Sequence, residues 1–328
     1  HAKGIRLMTA VRTSNWYMGF NMTDPVVGGD SERARLLRRA ISIAVDFEEF
    51  IAIFANGRGV VAQGILPPGI YGHKPGLAGI NPYVYRVVDG RAVRRDIAEA
   101  RQLLAQADYP DGRDAATGKP LVLYYDTAAS GPDSKSQLNW MRKQFAKLGI
   151  QLVIRATDFN RFQDKMRKGT EQIFMWGWNA DYPDPENFLF LLYGPHSKVD
   201  NNGENASNYK NPEYDALFEQ MKNMDNGAER QAIIDRMTEI LRRDAPWSWG
   251  YFPKSFSLHH AWYENAIPNL MADNTLKYKR INPQLRAEKR REWNQPVVWP
   301  IVTLVVILLI SLIPAFAMFR RRERSSAI

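Results

Sequence analysis

An α/β lobe followed by one membrane-spanning helix is the fold class this sequence predicts, and three observations predict it. Strand and helix periodicities alternate between residues 121 and 176 with short connections, the pattern of a parallel sheet whose crossovers are helices. Two Asp-x-x-Glu capping boxes, at Asp46–Glu49 and Asp96–Glu99, mark helix starts ahead of that stretch. Near the end, Pro296–Phe319 runs 24 residues without a charge. As helix it is about 36 Å long, enough to cross a ~30 Å hydrocarbon core.

From the N-terminus, Lys3–Val11 and Asn15–Met22 alternate as two strands joined near Thr13. Asp30 or Ser31 can cap a helix over Arg33–Ala44, which places Ala34, Leu37, Ala40, Ile41 and Ala44 on one face. The box at Asp46 opens a short helix closed by Asn56-Gly57, and a Gly- and Pro-rich loop occupies Gly64–Pro82. The box at Asp96 opens a helix to Ala107, stopped by Tyr-Pro-Asp-Gly at 109–112.

The alternating stretch reads as strand Leu121–Tyr125, helix Ser134–Leu148, strand Ile150–Arg155, helix Phe159–Lys168 and strand Gln172–Trp176. A helix over Glu186–Tyr193, then helices over Pro212–Met224 and Ala228–Arg243, follow. Trp247–Phe252 and Phe256–His259 read as two further strands. The strands at each end of the chain have no obvious place in the central lobe.

Charge separates the anchor from the lobe. The chain of 328 residues carries a formal net charge of +9 and has no cysteine. Lack of cysteine excludes disulfide scaffolds, thiolate zinc sites, iron–sulfur ligation and thiol catalysis. From Leu285 onward the balance is +5, with Arg286, Lys289, Arg290 and Arg291 before the apolar span and Arg320, Arg321, Arg322 and Arg324 after it. Four basic residues on each side leave the positive-inside comparison tied. Trp293 and Trp299 stand at one end of the span, where interfacial aromatics belong, and Pro314 inside it predicts a kink. The chain opens at His1 with no apolar signal core, so a fragment is expected.

Motifs for catalysis are lacking. GxxxxGK[ST], GxSxG and HExxH do not occur. His1, His73, His196, His259 and His260 are scattered, so neither a metal nor a cofactor is implied. Asp181, Asp184 and Glu186 lie close together, but the paired carboxylates of glycoside hydrolysis usually come from different elements, and a proline loop can use such residues for turns and caps. Nucleic-acid binding would need exposed aromatics in a basic stripe; the aromatics here sit in neutral or acidic stretches, and Arg35, Arg38 and Arg39 read as the solvated face of their helix. What remains is FMWGWNADYPDPENFLF at 174–190: a strand, two indoles and then a carboxylate. At the carboxyl end of an α/β strand this suits an amine-bearing ligand, and it equally suits a structural loop with buried tryptophans.

Several segments carry a family resemblance, in order along the chain: FNMTDP (20–25), RRAISIAVD (38–46), QGILPP (63–68), AEARQLLAQADYPDG (98–112), GWNADYPDPENFL (177–189), SNYKNPEYDAL (207–217) and ERQAIIDRMTEILRRDAPW (229–247). Together they resemble the C-terminal half of the oligopeptide/dipeptide-binding (family 5) solute-binding proteins that serve ABC importers. Asp108 stands where the family usually has Gly.

The resemblance implies a periplasmic-binding-protein-like type II clamp, with the second lobe complete and the first largely missing. Residues 1–21 would be crossover strands, 22–253 the second ligand-binding lobe and 254–284 a return segment. A basic linker at 285–295, a transmembrane helix at 296–319 and a basic tail at 320–328 would follow. It further implies a non-enzymatic receptor that captures peptides, or another small solute such as a metal chelate, haem, sugar or opine, and delivers them to ABC permease subunits. Asp181 would pair with a peptide α-ammonium group, flanked by Trp178, Asn179 and Tyr182, with Asn208 and Tyr209 as further ligand-binding candidates. The lobes would be extracytoplasmic (periplasmic) and tethered to membrane lipid by the C-terminal helix, an anchor unusual for the family, with Arg320–Arg324 cytoplasmic. A membrane-tethered sensor of the same fold is the competing function; a nine-residue tail with no catalytic domain argues against it.

Overall fold

The chain opens with β1 (Ile5–Val11) and β2 (Ser14–Phe20) in a computed structural model that describes residues 4–326 apart from 130, 133, 270, 272 and 273. Lys3, where the first strand is predicted to begin, lies outside the described residues, as do His1, Ala327 and Ile328. Next come α1 (Glu32–Ala44), α2 (Phe47–Phe54), β3 (Gly59–Val61), a hairpin of β4 (Tyr85–Val88) and β5 (Arg91–Arg94), and α3 (Ile97–Gln106). The alternating stretch becomes β6 (Val122–Thr127), α4 (Ser134–Ala146), β7 (Gln151–Ala156), α5 (Phe159–Lys168) and β8 (Ile173–Asn179). Beyond it lie α6 (Glu186–Leu189), α7 (Lys198–Asn201), α8 (Pro212–Met221), α9 (Ala228–Asp244) and β9 (Trp247–His260).

Two compact units make up the chain, and Leu7–Ser257 with Pro268–Asn274 is the larger. Its sheet runs β1-β9-β2-β8-β6-β7, with β3 added against β9. β6 pairs in parallel with β7 and with β8, as strand–helix–strand spacing requires, whereas β2 pairs antiparallel with β8 and β9. Side chains alternate across this sheet into two apolar clusters. Met18 and Ile173 enter one, with Leu37, Ile41 and Phe145; Tyr17 and Phe174 enter the other, with Leu192, Met237 and Trp247. Gly19 is small because the Phe174 ring crosses it: a Cβ there would lie 2.4 Å from the ring.

Local capping follows the sequence closely. Ser31 accepts the Ala34 amide, and Asp96 with Glu99 closes a reciprocal box. At α2 the box is half-built. Asp46 accepts the Glu49 amide at 3.0 Å, but the Glu49 carboxylate turns to Trp140 Nε1 (3.0 Å) and Gln144 Nε2 (2.9 Å).

Three expectations are corrected and one element is added. Arg38 is fully buried, not solvated: its guanidinium donates to the carbonyls of Val27 (2.8 Å), Gly29 (3.0 Å) and Asp244 (2.7 Å). Burial lowers its pKa to about 10 against the opposing pull of Asp244. The two final strands are one, because β9 continues through Pro253, whose carbonyl accepts the Arg12 amide at 2.8 Å. The helix expected over Glu186–Tyr193 is a single α-turn that tightens into 3₁₀ turns at Phe190–Leu192 and Gly194–His196. The added element is the β4–β5 hairpin, turned by Asp89-Gly90 in the left-handed region.

The second unit comprises the described residues of His1–Arg6, Leu258–Ile267 and Thr275–Ile328. Within it β10 (Tyr263–Glu264) pairs with β11 (Arg280–Ile281), and Asn282 caps α10 (Pro283–Trp293). The rings of Trp262 and Trp293 lie 5.2 Å apart. α11 (Trp299–Ser326) begins three residues later than the apolar span and runs unbroken through Pro314 into the basic tail, as far as Ser326. It is, among the described residues, one helix long and apolar enough to cross a membrane.

Candidate functional site

β8 carries an open edge. Along one side it pairs with β2 over its full length, from Phe20↔Ile173 to Ser14↔Asn179. On the other side β6 reaches only Tyr125↔Ile173 and Asp126↔Phe174 before the chain turns away. Among the described residues nothing pairs that edge from Met175 to Asn179. The amides of Trp178 and Ala180 point toward β2, to Asn15 Oδ1 (3.2 Å) and the Thr13 carbonyl (2.9 Å). By alternation, the backbone groups of Gly177 and Asn179 face the open side. An extended chain can add to such an edge as a further strand. Gly177 is obligatory here, since a Cβ would fall 2.7 Å from the Asn15 carbonyl oxygen and 2.9 Å from the Trp16 ring.

Asp181 follows two residues after this strand and is exposed. A buried asparagine holds it: Asn187 Oδ1 accepts the Asp181 amide (2.8 Å) and Trp178 Nε1 (3.3 Å), while Asn187 Nδ2 donates to Asp181 Oδ2 (3.3 Å). The neighbouring carboxylates are committed elsewhere. Asp184 grips the buried Arg230 through two bonds of 2.7 and 2.9 Å and accepts the Glu186 amide. Partial burial opposes its ionisation, but Arg230 and that amide prevail and hold its carboxyl below the usual range. Glu186 accepts the Tyr182 hydroxyl; partial desolvation and then this bond push the phenol up to about 12. Asp181 has no ion pair among the described residues and is the carboxylate of the three left to meet an external cation.

The other sequence-predicted residues divide. Trp178 is half-buried, and Asn179 and Tyr182 are exposed beside Asp181, with Asn179 Oδ1 accepting Ser14 Oγ at 2.8 Å. Asn208 and Tyr209, the further ligand-binding candidates, have their side chains bonded inside the fold. Both are buried: Asn208 accepts Ser197 Oγ and the Val199 amide, each at 3.0 Å, and donates to Asn21 Oδ1. The Tyr209 hydroxyl donates to Asp244 at 2.7 Å. The Asn208 amide ties the loop to the start of α7 and to Asn21 just beyond β2, and the Tyr209 hydroxyl ties it to α9.

A cleft of about 590 Å³ lies at the same edge of β8, where Thr127–Ala129 leave β6, and Met175–Gly177 form part of its wall. Its aromatic lining was missed in the sequence because it is drawn from strands and helices far apart in the chain. Among the described residues no group of three or more His, Cys, Asp or Glu side chains could hold a metal ion.

Comparison with known proteins adds the following. The family model described as bacterial extracellular solute-binding proteins, family 5 Middle, matches residues 2–200. Heme-binding protein A of Haemophilus influenzae is 29% identical over 224 residues, covering 67% of this chain and 37% of that protein. Di/tripeptide-binding protein 4 of Pseudomonas aeruginosa is 24% identical over 234 residues, covering 71% and 40%. The structure of HbpA2 from Haemophilus parasuis superposes with a TM-score of 0.70 at 19% identity, over 85% of this chain and 50% of that one, a likeness of fold. The chain thus spans about two fifths of the length of these curated relatives.

Proposed function

Because the chain belongs to the bacterial extracellular solute-binding proteins, family 5, we propose that it forms the ligand-holding lobe of a non-enzymatic receptor that captures peptides for an ABC permease. The observation that carries this reading is the exposed carboxylate of Asp181, without an ion pair among the described residues and held by Asn187 directly beyond the open edge of β8. Asp181 takes the α-ammonium group of the ligand, and the backbone groups of Gly177 and Asn179 hydrogen-bond its extended main chain. Trp178, Asn179 and Tyr182 flank the amine. Residues 22–253 serve as this lobe, residues 1–21 and 254–284 as crossings to a second one. The lobes work outside the cytoplasm, tethered by the helix that begins at Trp299 with Arg320–Arg324 inside, and the partner is the permease.

A charge-assisted hydrogen bond contributes on the order of 1.5–3 kcal/mol, about 10- to 100-fold in affinity. Isothermal calorimetry of the full chain in detergent tests this with trialanine and N-acetyl-trialanine. The expected result is at least tenfold weaker binding of the free amine by the Asp181→Asn variant, and equal, weak binding of the acetylated peptide by both proteins. Unchanged affinity in the variant would refute the role of Asp181. A second reading, a non-peptide solute, is favoured by the name of the Haemophilus influenzae relative; haemin binding that survives Asp181→Asn, with no trialanine binding, would select it.

A further inference from the structure

We infer that the ligand segment lying along Met175–Gly177 carries two neighbouring large apolar side chains, so that the site selects aromatic-rich over charged peptides; this rests on the peptide-binding reading above. The cleft of about 590 Å³ at the β8 edge straddles the sheet. One wall comes from the apolar cluster that holds Phe50, Met141, Met175 and Tyr251, the other from the cluster that holds Phe162 and Trp176. The rings on each side are packed together, Phe50 on Tyr251 at 5.8 Å and Phe162 stacked on Trp176 at 5.5 Å. Its volume suits a ligand of some hundreds of cubic ångströms.

Position decides how a ligand would use this space. β6 stops pairing with β8 at Phe174, and the cleft begins there, in the place a continued strand would occupy. A chain paired with the open edge puts successive side chains on opposite faces of the sheet. One would meet the Phe50 wall and the next the Phe162 wall. Both walls are apolar, and among the described residues no charged side chain lines the cleft; its polar groups are neutral, such as Thr127 and Gln137.

Two large aromatics in the lining remain in water, Trp16 at 42% and Phe159 at 60% exposure. Apolar surface left open at a cavity gains by being covered. A ligand carboxylate there would lose hydration with no cation to replace it.

Calorimetry of the full chain in detergent with three free-amine tripeptides tests the inference: trialanine, alanyl-phenylalanyl-phenylalanine and alanyl-glutamyl-glutamate. The diphenylalanine peptide is expected to bind at least tenfold tighter than trialanine, and the diglutamate peptide more weakly than either. Phe159→Lys, which supplies the missing cation at an exposed position where folding can be verified by circular dichroism, should narrow the ratio between the diphenylalanine and diglutamate peptides at least fivefold. Equal affinities for all three peptides, still lost in Asp181→Asn, would overturn the selectivity and leave the peptide reading standing. No binding of any of the three would overturn both.

Discussion

Asn187 and Asp181 are joined twice, by the Asp181 amide donating to Asn187 Oδ1 at 2.8 Å and by Asn187 Nδ2 donating to Asp181 Oδ2 at 3.3 Å. The asparagine is 2% exposed and the aspartate faces water, so a buried group orients a surface charge. Asn187 also accepts Trp178 Nε1, which makes one amide side chain the common support of the indole, the loop and the carboxylate.

Asn187→Ala should therefore cost more than a surface polar deletion. It leaves the Asp181 amide and the Trp178 indole N–H without their acceptor, about 1–3 kcal/mol of stability. Peptide affinity should drop severalfold even though Asp181 remains, because its carboxylate is no longer held in place. Thermal melting and calorimetry read the two effects separately; an affinity equal to that of the parent chain would show that Asp181 needs no support.

Glu171 makes a second prediction. It is 2% exposed, and among the described residues neither carboxylate oxygen has a hydrogen-bond partner. Burial, and then the charge of Asp126, push its pKa up to about 8, against the opposing pull of its own nearby backbone amide, Arg155 and Lys198. The folded form therefore holds a proton that the unfolded chain releases near 4.5. Between those values stability falls as pH rises, and above about 8 the full loss is present. Glu171→Gln should remove this decline and be the more stable protein at pH 9, by a few kcal/mol. Parallel melting curves of parent and variant from pH 5 to 9 would refute the assignment.

The helix from Trp299 yields a third. Its uncharged part, to Phe319, is about 32 Å long at 1.5 Å per residue, a match to the hydrocarbon thickness. The full chain should stay in the membrane pellet after carbonate extraction, and a chain ending at Gln295 should be released. Protease added outside spheroplasts should leave Arg320–Arg324 intact. Extraction of the full chain by carbonate would remove the anchor from the account; digestion of the tail would reverse its orientation.

Much of the fold was legible in local signals. Strand–helix alternation from residue 121 to 176 gave the parallel trio of β6, β7 and β8, and Ser31, Asp46 and Asp96 marked helix starts, because periods and caps act within about four residues. The carboxylate of Asp181 and the indole of Trp178 were legible as a motif at the end of a strand. The burial of Asn208 and Tyr209 was not, since a polar residue in a loop looks the same whether its partners are water or Asn21 and Asp244.

Order of elements and the apolar span were thus written in the chain itself, as periodicity and composition, and Asp181 was singled out by the family resemblance of its segment. Tertiary structure decided the rest. It placed Arg38 inside, where carbonyls from Val27, Gly29 and the distant Asp244 replace its water. It also ended the β6–β8 pairing at Phe174, which opened the edge and the cleft beside it. Both are outcomes of long-range packing: a charge is buried, or an edge exposed, according to which groups from elsewhere in the chain arrive to satisfy it.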